Sequence, residues 1–334
     1  MKNINLTYHI SNMKYLNILF VVALAIGLWS CKRDEIFERE QYKHVVALLS
    51  EGNFNIFAEE HEFVNDLSED LSEGWSEGYI AASCGGSLPI AEPVIISLRE
   101  DPNILQSYNL NSFDMDADSY VCYLSPDKYT IPEHRITIPA HERSGRMKIQ
   151  IRTDGLSPDS VYFIPFRIEQ ASCEVNPAKN TVLYCVYLKN FYATTKSAIM
   201  YQHRGIRTDE DAEVSTNTMM QKMITPVSSN EVRIFVGNTN LESKEINIIK
   251  WSIRLTMDDD GHVTITPWDT SFRGVKVTQI DGDPEYPNVF SITDDGYKTY
   301  KTFLLCYRYA DPDDGTAYLM REELRIEYKE EKNK

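Results

Sequence analysis

Along most of the chain, apolar and polar residues alternate with a period of two, and Gly, Pro, Asn and Asp interrupt the alternation at short intervals. Alternation of this kind lays the apolar side chains on one face of an extended strand, so the pattern predicts an all-β protein built of antiparallel strands. In the first half it predicts strands at Val94 to Leu98, Tyr120 to Leu124, Arg135 to Ile138, Met147 to Ile151, Val161 to Ile168 and Thr181 to Leu188. These lengths suit a β-sandwich. Pro165 lacks an N–H and predicts an edge position or a bulge for its strand. One short helical turn is expected around Ile104 to Tyr108, after Asp101 and a first-turn proline, Pro102.

The pattern resets near Asn190 to Thr195 and then resumes with Glu231 to Val236. Ile246 to Met257 and His262 to Pro267 flank an Asp-Gly turn and predict a hairpin, with Ile249, Trp251, Ile253, Leu255 and Met257 on its buried face. A last hairpin is expected from Tyr300 to Tyr309 and Ala317 to Tyr328. Glu322 falls on the apolar face of its second arm. An inward carboxylate needs a partner or water, so a structural ion pair is expected there.

The alternation begins only after a different kind of segment. Leu16 to Trp29 is apolar except for Asn17, follows Lys14, and ends in Leu28-Trp29-Ser30-Cys31 before the charged run Lys32-Arg33-Asp34-Glu35. It is shorter than the roughly 20 residues that a membrane-spanning helix needs, and it has the order of a secretory leader. Trp29 stands where such leaders carry a small residue. The reading is a lipoprotein signal peptide over residues 1–30, cleaved before Cys31, which would carry lipid and anchor the chain to a membrane. Residues 31–43 read as a linker, 44–192 as the sandwich and 193–330 as a second β-domain, since about 300 residues exceed one typical core.

Composition narrows the partners. The chain has 34 basic and 50 acidic residues, for a net charge of −16, and the leader holds Lys2 and Lys14 but no acid. Such a surface repels phosphate backbones, so no nucleic-acid partner is expected. Beyond Cys31 there remain Cys84, Cys122, Cys173, Cys185 and Cys306, an odd number. Cys173 and Cys185 flank a turn at Asn176-Pro177 and could face each other across a hairpin. There is no Cys-x-x-Cys and no His-Glu-x-x-His, so neither a metal nor any other cofactor is expected.

Four segments carry a resemblance: Val121 to Ile131 (VCYLSPDKYTI), Arg135 to Ile151 (RITIPAHERSGRMKIQI), Val161 to Ser172 (VYFIPFRIEQAS) and Asn176 to Val186. Together, over Val45 to Leu188, they resemble an Ig-like N-terminal module of unknown function common in Bacteroidetes surface lipoproteins. There the module precedes a family-18 glycoside hydrolase or a second β-domain. His141 stands where the family usually has glycine. Residues from about Ala193 to Tyr328 resemble the β-barrel domain that follows the module, on a Tyr-x-x-Phe-x-Leu opening at Tyr300 and the Glu322-Glu323-Leu324-Arg325 close. The Lys32 to Glu35 run resembles the export signal of surface-exposed lipoproteins. The resemblance implies an outer-membrane lipoprotein exposed at the cell surface that binds a glycan without catalysis, in company with an outer-membrane glycan transporter. An adhesin with a protein partner stands as the alternative, and a glycoside hydrolase as a distant one.

No catalytic template competes. Asn111 to Asp118 mimics the Asp-x-x-Asp-x-Asp-x-Glu spacing of family-18 hydrolases, but the final acid is Asp118 and no (β/α)₈ alternation surrounds it. Asp114, Asp116 and Asp118 also echo a calcium loop, yet Ser119 replaces its glycine. Loop aromatics are the better candidates, because exposed rings stack on apolar sugar faces beside polar groups. Trp268 with Asp269 at a strand end, Tyr286 in a Gly-Asp-Pro loop and Tyr297 after Asp-Asp-Gly are the expected ligand-binding residues.

Overall fold

The computed structural model describes residues 41–64, 74–271 and 273–329. The leader, Cys31 and most of the expected linker lie outside the described residues. The chain is all-β in two domains, with two α-helices among the described residues.

The first domain comprises β1 (Val45–Leu48), β2 (Ile56–Glu62), β3 (Ser76–Gly85), β4 (Val94–Glu100), α1 (Pro102–Phe113), β5 (Cys122–Tyr123), β6 (Tyr129–Thr130), β7 (Arg135–Ile138), β8 (Ser144–Ile151), β9 (Tyr162–Ala171), β10 (Glu174–Val175) and β11 (Thr181–Lys189). One sheet runs β10-β1-β3-β8-β6 and the other β2-β11-β9-β4-β7, with β5 alongside β9. The alternating apolar faces of both sheets meet in one core. Ile80, Met147, Ile149 and Ile151 come from the first, and Ile96, Ile136, Phe166, Val182 and Tyr184 from the second.

Strands β9 and β11 are buried on both faces, because α1 covers the outer side of their sheet through Leu105 against Phe163, Leu183 and Cys185. That cover explains their near-continuous apolar runs. It also corrects the expected single turn at Ile104 to Tyr108: the helix runs from Pro102 to Phe113. Asp101 does not cap it. Its carboxylate instead accepts a hydrogen bond from Arg167 Nε at 2.7 Å.

Pro165 sits in a central strand, against the edge position or bulge expected for it. Its missing N–H points to the side of β9 where β4 pairs only with Phe166 and beyond and β5 pairs only with Tyr162 and Phe163. The proline thus occupies the gap between two neighbours, and no ladder bond is lost. The bulge in β9 falls instead where Ser97 and Leu98 change register. Nor do Cys173 and Cys185 face each other. Cys185 is turned to the helix-covered side, and all five described cysteines are free thiols. His141 has φ 67°, a left-handed turn in which glycine is the least strained residue.

The second domain comprises β12 (Ile199–Asp209), β13 (Val214–Pro226), β14 (Glu231–Phe235), α2 (Glu245–Trp251), β15 (Ser252–Met257), β16 (Val263–Pro267), β17 (Val277–Gln279), β18 (Val289–Asp294), β19 (Thr299–Ala310) and β20 (Ala317–Tyr328). Its sheet runs β16-β15-β14-β13-β12-β20-β19-β17, with β18 also on β19. The two ends nearly close into a barrel. His262 bridges Val289, Val263 N donates to Asn288 O at 2.8 Å, and Ile265 N donates to the Gln279 side chain at 2.7 Å. The expected strand from Ile246 is half right: Ile253, Leu255 and Met257 are buried on β15, but Glu245 to Trp251 is helical. Ile248 and Trp251, three apart, form its buried face, and Ile246 is left 71% exposed.

Glu322 lies wholly buried inside the barrel, paired as its position required. Its Oε2 takes Lys222 Nζ at 2.7 Å, and its Oε1 takes the Tyr307 hydroxyl at 2.6 Å. His203 Nδ1 lies 2.8 Å from Oε2, out of line for a well-formed hydrogen bond. Burial alone would raise the Glu322 carboxyl, but Lys222 and His203 overcome it and hold the group at about 2. Burial lowers Lys222, which Glu322 partly restores.

Because the folded value lies below the unfolded value of 4.5, the network stabilises the protein fully above that pH and loses its contribution as pH falls toward 2. Glu322→Gln leaves a buried ammonium without its counter-charge and is expected to cost about 3–5 kcal/mol. The double variant Lys222→Met/Glu322→Leu should cost less than that single change. Urea denaturation at pH 7 checks both.

Candidate functional site

The connection between the domains is built around Asn190. Its Oδ1 accepts from the backbone N–H groups of Tyr192 and Ala193, both at 2.9 Å, and its Nδ2 donates to Ser228 O at 2.7 Å and Glu231 O at 2.9 Å. One side chain therefore folds the connecting chain into a tight turn and ties it to the second domain. Contacts to the first domain complete the joint. Thr195 N donates to Leu188 O at 2.8 Å, and Thr194 Oγ1 donates to Glu60 Oε1 at 2.6 Å.

Farther along the interface, Arg233 forks onto Asp159 with both contacts at 2.6 Å. Arg233 is only 3% exposed, so the guanidinium end of this bidentate pair is shielded from water, while the Asp159 carboxylate, 31% exposed, faces solvent.

Beside the turn opens a cleft of about 640 Å³, lined by Glu62, Phe63 and Lys189 from the first domain, Asn190 and Phe191 from the connection, and Ser229, Lys301, Glu327, Tyr328 and Lys329 from the second. The Asn190 turn holds Phe191 at its mouth, 46% exposed. That ring packs edge-on against Tyr328 at 5.6 Å and Phe290 at 6.0 Å. Lys301 Nζ lies 4.0 Å from the Phe191 ring centre and 4.9 Å from that of Tyr328, and it donates to the Phe191 carbonyl. Burial lowers the Lys301 ammonium.

The charged groups of the cleft are already engaged with one another. Glu62 pairs with Lys189 at 3.2 Å, and Glu327 pairs with Lys298 at 2.6 Å and Lys329 at 3.6 Å. The Lys298 hydrogen bond holds the Glu327 carboxyl below its ordinary value. A general acid working near neutral pH needs the opposite shift. What the cleft offers is aromatic edges ringed by amine and amide donors and carboxylate acceptors, which suits a neutral, hydroxyl-rich ligand. No cluster of His, Cys, Asp and Glu suited to a metal occurs among the described residues.

The residues singled out from sequence are placed differently. Trp268 is half-buried, with the guanidinium groups of Arg233 and Arg254 4.9 and 5.1 Å from its ring centre. It thus backs the Arg233–Asp159 pair, and a sugar stacking there would compete with the arginines. Asp269 Oδ1 accepts from Ser271 N at 2.6 Å, and this bond lowers its carboxyl. Tyr286 is half-buried in a loop organised by Asp283, which accepts from Tyr286 N at 3.0 Å and from Arg321 Nε at 2.6 Å. Tyr297, 95% exposed at the β18–β19 turn, has its ring open to solvent. No hydrogen bond, ion pair or ring contact joins Trp268 or Asp269 to either tyrosine among the described residues.

Phe191 and Asn190 fall where the strand pattern breaks and so carry no period-two signal. The usable signal was an Asn-aromatic-aromatic run at a domain junction. The hydrolase-like Asn111 to Asp118 segment lies at the end of α1 and in the 3₁₀ turn after it.

A family model for an N-terminal domain matches residues 52–175, and one for a C-terminal domain matches residues 180–325. No curated protein matches the chain. Solved structures share the two-domain fold. A Bacteroides ovatus protein of unknown function is 18% identical, with 85% of this chain and 94% of that one covered and a TM-score of 0.57. A multidomain protein including DUF1735 from the same organism is 14% identical, covering 86% and 95%, at a TM-score of 0.57. An auxiliary nutrient binding protein from Bacteroides thetaiotaomicron is 12% identical, covering 81% and 90%, at a TM-score of 0.51.

Arg233→Met leaves Asp159 without its partner and removes one cation from the Trp268 ring. It is expected to cost about 1–3 kcal/mol, since the part-exposed Asp159 carboxylate can be rehydrated, and to make the connection near Asn190 to Thr195 newly sensitive to limited proteolysis, read by thermal melts and digestion time courses.

Proposed function

The chain belongs to the family of two-domain proteins described by these N-terminal and C-terminal models, and we propose that it is a lipid-anchored surface protein that binds a glycan without altering it. The observation that carries this reading is the cleft at the domain joint, where a half-exposed Phe191 and the Tyr328 edge sit among hydrogen-bonding groups. A sugar ring offers an apolar C–H face and a rim of hydroxyls, and the cleft presents a matching ring edge and donors and acceptors on both sides. The fold is also that of an auxiliary nutrient binding protein, which supports a binding role. The carboxylates of the cleft are paired with lysines, an arrangement for holding a ligand rather than for proton transfer.

The anchor reading rests on the apolar run ending at Cys31 and the charged residues that follow. A net charge of −16 keeps such a protein off phosphate surfaces, so attachment would come from the lipid itself. Delivery of captured glycan to an outer-membrane transporter is part of the same proposal.

Two experiments test it. Cys31→Ala should move the protein from the membrane fraction to the soluble one and abolish incorporation of labelled fatty acid, and unchanged attachment would defeat the anchor reading. For the ligand, a glycan array on the protein lacking its leader identifies an oligosaccharide for titration calorimetry. Phe191→Ala should then weaken binding roughly five- to tenfold with little change in melting temperature. Trp268→Ala should do the reverse, lowering the melting temperature and sparing affinity. Loss of affinity in Trp268→Ala alone would move the site to the Trp268 and Asp269 surface, and silence across the array would favour a protein ligand.

A further inference from the structure

Cys84 lies near the end of β3 with its side chain in the sandwich core. Cys173 lies at the two-residue corner between β9 and β10, where the chain passes from the second sheet to the first, and it packs on the same core. Their Sγ atoms are 4.0 Å apart, although the residues are 89 apart in sequence. No sulfur–sulfur contact joins Cys122, Cys185 or Cys306 to another cysteine among the described residues.

Strand β1 runs between the two elements that carry this pair. Val46 pairs with Cys84 on one side and with Val175 on the other, and Asn176 N donates to Val46 O at 2.8 Å. A link between Cys84 and Cys173 would therefore span β1, which leads directly from the N-terminal segment into the fold. At four residues β1 is short, and any pull transmitted through an N-terminal tether reaches it first.

We propose that Cys84 and Cys173 form a disulfide, made by exchange with an external disulfide, that clamps β1 between β3 and the β9–β10 corner. A disulfide bond is about 2.05 Å long, so the sulfurs, now 4.0 Å apart, must approach by about 2 Å. Cys173, half-buried, is the more accessible thiol. Its thiolate attacks one sulfur of the external disulfide, that S–S bond breaks, and the first thiolate leaves. The Cys84 thiolate then attacks Cys173 Sγ, the mixed disulfide breaks, and the second thiolate leaves. Two electrons pass from the protein thiols to the external disulfide, and the two protons end on the released thiols. Burial pushes the Cys173 thiol up to about 11, so exchange should be slow at neutral pH and quicken about tenfold per pH unit toward pH 9.

The test is to incubate the purified, reduced, folded protein with oxidised glutathione at pH 8.5, quench in acid, alkylate in denaturant and map the peptides by mass spectrometry. The expected product joins the Cys84 and Cys173 peptides, two hydrogens lighter than the reduced pair, with Cys122, Cys185 and Cys306 outside the link. Closing so long a loop should raise the melting temperature by roughly 10 °C. Cys84→Ser should stall the reaction as a glutathione adduct on Cys173. Full alkylation of both thiols in the wild-type protein, a link from either to a different cysteine, or a link that forms only in denaturant would each overturn the proposal.

Discussion

The Asn190 side chain fixes how the two halves of the molecule meet. Its amide makes two acceptor and two donor bonds to backbone groups, which leaves it no freedom to rotate and gives the connection one shape. Everything at the joint follows from that turn. Phe191 is presented at the cleft, Tyr192 is turned onto Phe290 and Phe303, and Thr194 reaches Glu60 across the boundary. The Arg233–Asp159 fork, backed by Trp268, fixes a second point of the interface, and two separated contacts resist hinge motion better than one.

Each domain meets the cost of its buried polar groups differently. The sandwich places its apolar stripes face to face and covers the outer side of β9 and β11 with α1. The barrel carries a carboxylate at its centre, on β20, and surrounds it with an ammonium, a phenol and an imidazole from three other strands, β13, β19 and β12. A charge cluster of this kind adds little net stability over an apolar core. It does penalise wrong register, because a one-residue slip in any of the four strands would turn a partner out of the barrel.

Much of this was legible in the sequence. Arg135 to Ile138 is a strand with the bounds its alternation gave, and Glu322 could be read as a paired inward carboxylate because it interrupts an apolar face. Misreadings arose where tertiary contacts override local pattern. Pro165 is tolerated in a central strand because two neighbouring strands leave a gap opposite it, which no local rule contains. Ile246 to Trp251 alternates like a strand, yet it folds as a helix whose buried residues are three apart. The Arg233 and Arg254 guanidinium groups over the Trp268 ring are likewise tertiary contacts that no local pattern contains. The cleft was hidden for a related reason: it is made of residues from both domains and from the junction where the strand pattern fails.

The cleft exists before a ligand arrives only if the two domains form one rigid body. Residual dipolar couplings measured on the amides of both domains in a single alignment medium test this most directly. If the joint is rigid, both domains report the same alignment tensor and fit the arrangement described. Tensors that differ in magnitude or orientation would show the domains moving independently, and the preformed cleft would have to be abandoned.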